Sequence, residues 1–331
     1  MFKNIAIVGD GAMASVLAIL LCEKDLDVTI WGYDADQLKQ IEADRENKKF
    51  LAGYKLPASL VFNAADDCIF DTADLVVSAV PCQFMRSVWH RLKLYYPGNI
   101  PIVSVAKGIE IDTLKSPNDI IKGILGSDVA VAALSGPTIA DELARKLPAT
   151  ACVACENEDL AISIQQTFTS PWFRIYTNTD IVGVELAGAM KNVIAIAAGI
   201  VDGIGAGDNA KAALLSRGLA EITRLGISLG AKPQTFAGLT GMGDLVTTCI
   251  SPKGRNRSFG ERIGKGMTTA LALEATNSVV EGVSTCKAVF SLAEKLNVEM
   301  PITRAVYMVL FENKPVADAI TELMTREPKA E

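Results

Sequence analysis

Apolar and polar positions change in blocks along the first half of the chain. Ile5-Ala6-Ile7-Val8 is a short continuous apolar run ended by glycine, the pattern of a parallel strand buried on both faces. Residues 12–24 then place Val16, Leu17, Leu20 and Leu21 on one side of a predicted helix. Val28-Thr29-Ile30-Trp31 predicts a second strand, and the polar stretch 35–47 a second helix. Further strands are expected at 75–80, where Pro81 stops the run, at 102–105 and at 129–134. Strands separated by helical patterns imply an α/β fold built on a doubly wound parallel sheet. From about residue 181 the texture changes to long helical patterns at 183–200, 210–229, 281–296 and 301–311. The expected organisation is therefore 1–180 as an α/β domain and 181–331 as a mostly α-helical domain. No internal repeat or low-complexity segment is visible, and 326–331 reads as a frayed tail.

Composition narrows the function classes. Half of the 331 residues are hydrophobic and 21% are charged, which supports packed cores and argues against disorder. The net charge of −6 and a pI near 5.1 make nucleic acid and anionic membranes poor partners, because both need basic surfaces. The start of the chain runs directly into the first strand and lacks the pattern of a signal peptide. The apolar stretch 181–204 contains Glu185, Lys191, Asn192 and Asp202, so no membrane insertion is expected and the cytoplasm is the default location. The seven cysteines, an odd number mostly within apolar runs, read as reduced core thiols. Cys152 and Cys155 form a CxxC without a second pair, so packing is favoured over redox or metal chemistry, and no metal site is expected.

Between the first strand and the first helix stands Gly9-Asp10-Gly11-Ala12-Met13-Ala14, the GxGxxA variant of a dinucleotide-binding turn. Gly9 permits the tight turn, Gly11 lets the backbone approach a pyrophosphate, and Ala14 keeps helix and strand close. The helix N-terminus then offers unpaired N–H groups and its positive dipole end to the phosphates. The first domain is thus expected to be Rossmann-like. The second strand ends in Trp31-Gly32-Tyr33-Asp34, where the adenosine ribose belongs. Tyr33 is placed to stack on adenine. Asp34 either receives a free ribose 2′-hydroxyl, which favours NAD, or simply caps the following helix.

In the second half Lys191 lies within a helix that is apolar and rich in small residues on nearly every face. A buried lysine is costly unless it is paired or working, and burial suits it to proton transfer. The single histidine, His90, sits in a surface-like helical stretch, which leaves a lysine as the natural general acid. The loop 238–244 is rich in glycine and ends at Asp244, either orienting a lysine or capping a helix. Lys253-Gly254-Arg255-Asn256-Arg257 is a basic cluster in an acidic chain, which points to an anion, best read as phosphate, held by an arginine fork, or else to a solvated loop. Residues 104–108 and 135–138 each follow a predicted strand and so lie at the carboxyl edge of the sheet, where ligands bind.

Ser135-Gly136-Pro137-Thr138, Lys191-Asn192-Val193-Ile194-Ala195, Gly243-Asp244-Leu245, Arg255-Asn256-Arg257 and Val279-Val280-Glu281-Gly282, taken with the turn at Gly9, resemble the bacterial type of NAD(P)-dependent glycerol-3-phosphate dehydrogenases over nearly the whole chain. The resemblance implies reduction of dihydroxyacetone phosphate to sn-glycerol 3-phosphate for phospholipid synthesis, by an enzyme that is a homodimer. It implies that Lys191 is the catalytic lysine and that Lys107 touches both cofactor and substrate. Gly136, Thr138, Asp244, Gly254, Arg255 and Asn256 would contact the small phosphorylated three-carbon substrate. Ala140, Val279 and Glu281 would contact the cofactor, as would Arg255, alongside Gly9, Gly11, Ala12, Met13, Ala14 and Tyr33. This chain departs from the family in having Ala12, Met13 and Ala14 where serine, an aromatic residue and glycine are usual. It also has Tyr33 where arginine or histidine is common, and Gly254 where serine is common. Preference between NAD and NADP is therefore unresolved. Two other readings stand beside this one: a two-domain 3-hydroxy acid dehydrogenase, and a non-catalytic dinucleotide-binding redox sensor.

Overall fold

A computed structural model describes residues 2–276 and 279–328, so residues 329–331 of the expected tail lie outside the described residues. The chain divides into two compact units, 1–107 with 115–185, and 108–114 with 186–331.

The first unit holds one sheet of eight strands: β1 (Asn4–Val8), β2 (Asp27–Trp31), β3 (Val61–Asn63), β4 (Leu75–Ser78), β5 (Ile102–Ser104), β6 (Val131–Ser135), β7 (Ala149–Ala154) and β8 (Phe173–Asn178). Their order is β3-β2-β1-β4-β5-β6-β7-β8. All neighbours are parallel except β6 and β7, so the sheet is the expected doubly wound parallel one with a single antiparallel pairing. The chain reverses direction of winding between β1 and β4, so their carboxyl ends flank the crevice where such sheets take ligands. The helices of this unit are α1 (Ala12–Cys22), α2 (Ala35–Asp44), α3 (Cys82–Leu92), α4 (Pro117–Leu125), α5 (Ala140–Ala144) and α6 (Glu158–Phe168). One face of the sheet packs Ile5, Ile7, Leu17 and Leu21 together, and the other packs Val8, Val76, Met85 and Trp89. Three strands were not anticipated. β3 is only three residues long, and β7 is built from Ala149-Thr150-Ala151-Cys152-Val153-Ala154, which lacks the usual bulky signature. β8 did carry a signal, since Phe173 and Ile175 are buried while Arg174 and Tyr176 are exposed. Cys152 and Cys155 are buried, and all seven cysteines are free thiols.

The second unit is helical: α7 (Ile181–Gly203), which starts within the first unit, then α8 (Gly207–Ser228), α9 (Pro233–Ala237), α10 (Asp244–Ile250), α11 (Arg255–Gly264), α12 (Thr269–Glu274), α13 (Glu281–Leu296), α14 (Pro301–Phe311) and α15 (Val316–Met324). Helix α7 is long and apolar enough to cross a membrane, yet 89% of its most apolar window is buried inside the protein. Its burial follows from small residues. A Cβ on Gly199 would stand 2.0 Å from the Arg257 carbonyl oxygen, and one on Gly260 would stand 2.0 Å from the Ile196 carbonyl oxygen. Gly199-x-x-x-Gly203 on α7 thus lies against Gly260-x-x-x-Gly264 on α11, backbone on backbone.

Two buried carboxylates tie helix starts to neighbouring helices. Glu221 on α8 accepts from the backbone N–H groups of Ile302 and Thr303 at the start of α14. Glu185 accepts from Ser116 Oγ at 2.7 Å and from the Asn118 N–H at 2.9 Å, at the start of α4. Burial pushes the Glu185 carboxyl up to about 7, against the opposing pull of those two hydrogen bonds. A carboxyl whose folded value is raised binds a proton on folding, so its stabilising contribution is full below the unfolded value of about 4.5 and is lost as pH rises through about 7. Glu185→Gln carries no titrating group; its Oε1 can still accept from the Asn118 N–H, while its Nε2 can only donate to Ser116 Oγ, reversing that bond. In denaturant unfolding from pH 5 to pH 8, the stability of wild type relative to Glu185→Gln is expected to fall by about 2–3 kcal/mol. A difference that stays constant across that window would refute the assignment.

Candidate active site

The turn after β1 is shaped by its neighbours. Gly9 has φ +115°, and a Cβ there would stand 2.8 Å from the Ala79 carbonyl oxygen beyond β4. Gly11 is the N-cap of α1; no side chain caps the helix, and a Cβ at Gly11 would meet nothing within 4 Å. Ala12 and Met13 are half-buried in the first turn, and Ala14 is fully buried against the sheet. An uncapped helix start with open space before it and no acid in its first turn fits a pyrophosphate.

At the end of β2 the structure decides between the two roles weighed for Asp34. Its carboxylate accepts from the N–H groups of Asp36 and Gln37, so it caps α2. The acid that reaches over β2 is Asp10 from the glycine turn. Gln37 Nε2 donates to Asp10 Oδ2 at 2.7 Å, and Asn47 Nδ2 donates to the Asp10 carbonyl at 2.8 Å. Burial raises the Asp10 carboxyl above its ordinary value, opposed by the Gln37 bond and the Lys49 charge. Tyr33 is exposed, and the Arg91 guanidinium lies 5.2 Å from its ring. His90 is exposed in the last turn of α3.

Lys107 follows β5, and Gly136 and Thr138 follow the adjacent β6, so parallel pairing makes their loops neighbours. Lys107 Nζ donates to the Gly136 carbonyl at 2.9 Å and lies 3.5 Å from Thr138 Oγ1. Gly136 has φ +139°, with Ala151 Cα only 2.9 Å from where its Cβ would be, so glycine is required there by backbone packing alone. Ala140 opens α5, which follows this loop.

In the second unit Lys191 is buried on α7, and its ammonium donates to Asp244 Oδ1 and, at 2.7 Å, to Thr248 Oγ1. Asp244 is buried too, at the first position of α10, immediately after a π-helical turn at Leu239–Gly243. A Cβ on Gly241 would stand 2.0 Å from the Phe236 carbonyl oxygen, so this glycine lets the turn fold tightly enough to aim Asp244 at the lysine. Thr248 was not among the residues anticipated. Its spacing of four from Asp244, one helical turn, is the signal that could have found it.

The basic cluster does not act as one arginine fork. Arg257 is committed to Asp202 at 2.5 Å, in a network with Lys211 and Glu261. Arg255 is exposed, and its Nη1 donates to the Val279 carbonyl at 3.2 Å. Asn256 is buried: its Nδ2 donates to Asn192 Oδ1 and its Oδ1 accepts from the Gly282 N–H, both at 2.9 Å. That amide ties α11 to α7 and to the start of α13, where Glu281 stands one residue before Gly282. Gly254 is the N-cap of α11 and leaves the helix start without a side-chain cap, an arrangement suited to an anion.

Two models of one family match this chain: the NAD-dependent glycerol-3-phosphate dehydrogenase N-terminus over residues 4–161, and the C-terminus of the same family over residues 180–321. The chain belongs to the NAD-dependent glycerol-3-phosphate dehydrogenase family. It is 45% identical to a glycerol-3-phosphate dehydrogenase [NAD(P)+] of Geobacter sulfurreducens, over 100% of this chain and 99% of that protein. It is 47% identical to the enzyme of the same name from Chlorobium phaeobacteroides, over 99% of each chain. Its fold matches the crystal structure of glycerol-3-phosphate dehydrogenase from Coxiella burnetii with a TM-score of 0.95 at 34% identity, covering 98% of this chain and 99% of that one. Membership supports the expected class of enzyme, its Rossmann-like first domain and its use of NAD(P).

Proposed function

We propose that this protein interconverts dihydroxyacetone phosphate and sn-glycerol 3-phosphate, with Lys191 as the proton-transferring group. The observation that carries the role of Lys191 is a buried ammonium held by one carboxylate and one hydroxyl. Such a group can give a proton to a ketone oxygen and take it back in the reverse direction. The nicotinamide cofactor, when bound, supplies or accepts the hydride. Asp244 and Thr248 hold the lysine in place, so that the proton it transfers is directed rather than mobile.

The phosphate end of the substrate is assigned to Gly254, Arg255 and Asn256 at the start of α11. The side-chain amide of Asn256 is already spent on Asn192 and Gly282, so its backbone N–H in the first helical turn is the better donor to an anion. Lys107, Gly136 and Thr138 are assigned to substrate, with Lys107 also meeting the cofactor. Gly9, Gly11, Ala12, Met13, Ala14, Tyr33, Ala140, Val279, Glu281 and Arg255 are assigned to the dinucleotide. Binding to phosphate rather than to a carboxylate alone places remote binding energy at the service of orienting the ketone. Supply of glycerol 3-phosphate for phospholipid synthesis is the role this family serves. A cytoplasmic homodimer that neither inserts into membranes nor binds nucleic acid completes the proposal, supported by family resemblance and by the acidic composition.

Oxidation of NADH and NADPH followed at 340 nm tests this reading. Turnover with dihydroxyacetone phosphate and none with a 3-keto acid is expected. Turnover with the keto acid alone would favour a 3-hydroxy acid dehydrogenase, and tight dinucleotide binding without turnover would favour a redox sensor.

A further inference from the structure

The cofactor-side acid of this protein does not stand where such sheets usually carry it. A parallel strand that precedes the ribose site commonly ends in an acid, which accepts from a free 2′-hydroxyl and repels a 2′-phosphate. Here the acid that follows β2, Asp34, is consumed by the start of α2. We propose that Asp10, projecting from the glycine turn over the end of β2, reads the adenosine ribose and makes the protein select NAD(H) over NADP(H). This rests on the dinucleotide-binding reading of the turn.

Three observations support the placement. The Cβ that Gly32 lacks would stand 3.1 Å from Asp10 Oδ2 and 3.4 Å from Asp10 Cβ. The Asp10 carboxylate therefore lies directly over the residue that follows β2, and any side chain at Gly32 would press against it. Second, the carboxylate is held in one orientation. Lys49 Nζ can only donate, and it donates to Gln37 Oε1 at 2.8 Å, so the Gln37 amide must turn its Nε2 hydrogens to Asp10 Oδ2 at 2.7 Å. Third, the cations near the end of β2 already have partners. Lys49 is engaged with Gln37, and Arg91 gives its Nε to Asp66 Oδ2 at 2.7 Å while its guanidinium packs against both the Trp31 and Tyr33 rings. A 2′-phosphate would meet a fixed carboxylate there and would have to break one of these pairs to gain a cation. A 2′-hydroxyl would find an acceptor.

Dissociation constants for NADH and NADPH, measured on the substrate-free protein by nicotinamide fluorescence, test this directly. Wild type is expected to bind NADH at least about tenfold more tightly than NADPH. Asp10→Asn keeps the size of the side chain and removes its charge, and should bring the two constants within about threefold, mainly by tightening NADPH. Asp10→Ala serves as a second variant, with thermal unfolding of both confirming that the fold is retained. A wild-type ratio near one, or a ratio unchanged in both variants, would overturn the proposal. Turnover of dihydroxyacetone phosphate by the same samples is read separately: its absence would count against the proposed reaction while the binding ratio still decides the role of Asp10.

Discussion

Lys191→Met is expected to lower kcat for dihydroxyacetone phosphate reduction by about 10³-fold, within the range usually lost with a general acid. The thioether fills much of the volume of the lysine stem but carries no proton. NADH binding should change little, because the dinucleotide turn is built from Gly9 to Ala14 and not from α7. The same substitution should cost stability. It leaves Asp244, which is 1% exposed, as a buried carboxylate without its ammonium, and such losses run to about 3–5 kcal/mol. Lys191→Met combined with Asp244→Asn should recover much of that stability and none of the activity. Asp244→Asn alone is the control for the altered carboxylate: a merely structural lysine would leave the double variant as active as Asp244→Asn, whereas a general acid would leave it about 10³-fold less active. A kcat for Lys191→Met within tenfold of wild type would eliminate Lys191 as the acid.

Gly260→Ala should be among the most damaging small substitutions, although it adds only one carbon. The new Cβ would stand 2.0 Å from the Ile196 carbonyl oxygen and 3.0 Å from Ile196 Cα. Neither atom belongs to a side chain that can rotate away, so α7 and α11 must separate. A loss of about 3 kcal/mol or more is expected in denaturant unfolding, at the upper end for an overpacked interior. Activity of whatever remains folded should fall as well. The same crossing brings Asn192 to Asn256, and Lys191 precedes Asn192 on α7. Gly11→Ala is the matching control for stability: its φ of −77° suits alanine and its Cβ would meet nothing within 4 Å, so a change under about 1 kcal/mol is expected. If the two variants were equally stable, the close crossing of α7 and α11 would be wrong.

Both effects depend on contacts between residues that lie far apart in the chain, which no short window of sequence reveals. The apolar run at Ile5, the helical stripe through Val16, Leu17, Leu20 and Leu21, and the glycine turn between them could all be recognised in a short window. So could α13 and α14, whose observed limits coincide with the predicted ones. Lys191 stood out for the same reason: a charge within an apolar helix is conspicuous before anything is known of its neighbours. Periodicity, turn chemistry and the cost of burying charge all act over a few residues, and these the sequence by itself determined.

The partners were decided by tertiary structure. Asp244 lies 53 residues beyond Lys191, and it reaches the ammonium only because a π-helical turn sets the start of α10. Arg255 and Arg257 look alike in the chain, but successive positions on a helix point about 100° apart, so two positions on they face different surroundings. One meets Asp202 and the other remains exposed. Asp34 could serve the ribose or cap a helix until α2 claimed it, and Asp10 drew no notice until the fold set its carboxylate beside Gln37. Strand order and helix crossing choose among such alternatives, because a hydrogen bond or ion pair exists only when the fold brings both groups within about 3 Å.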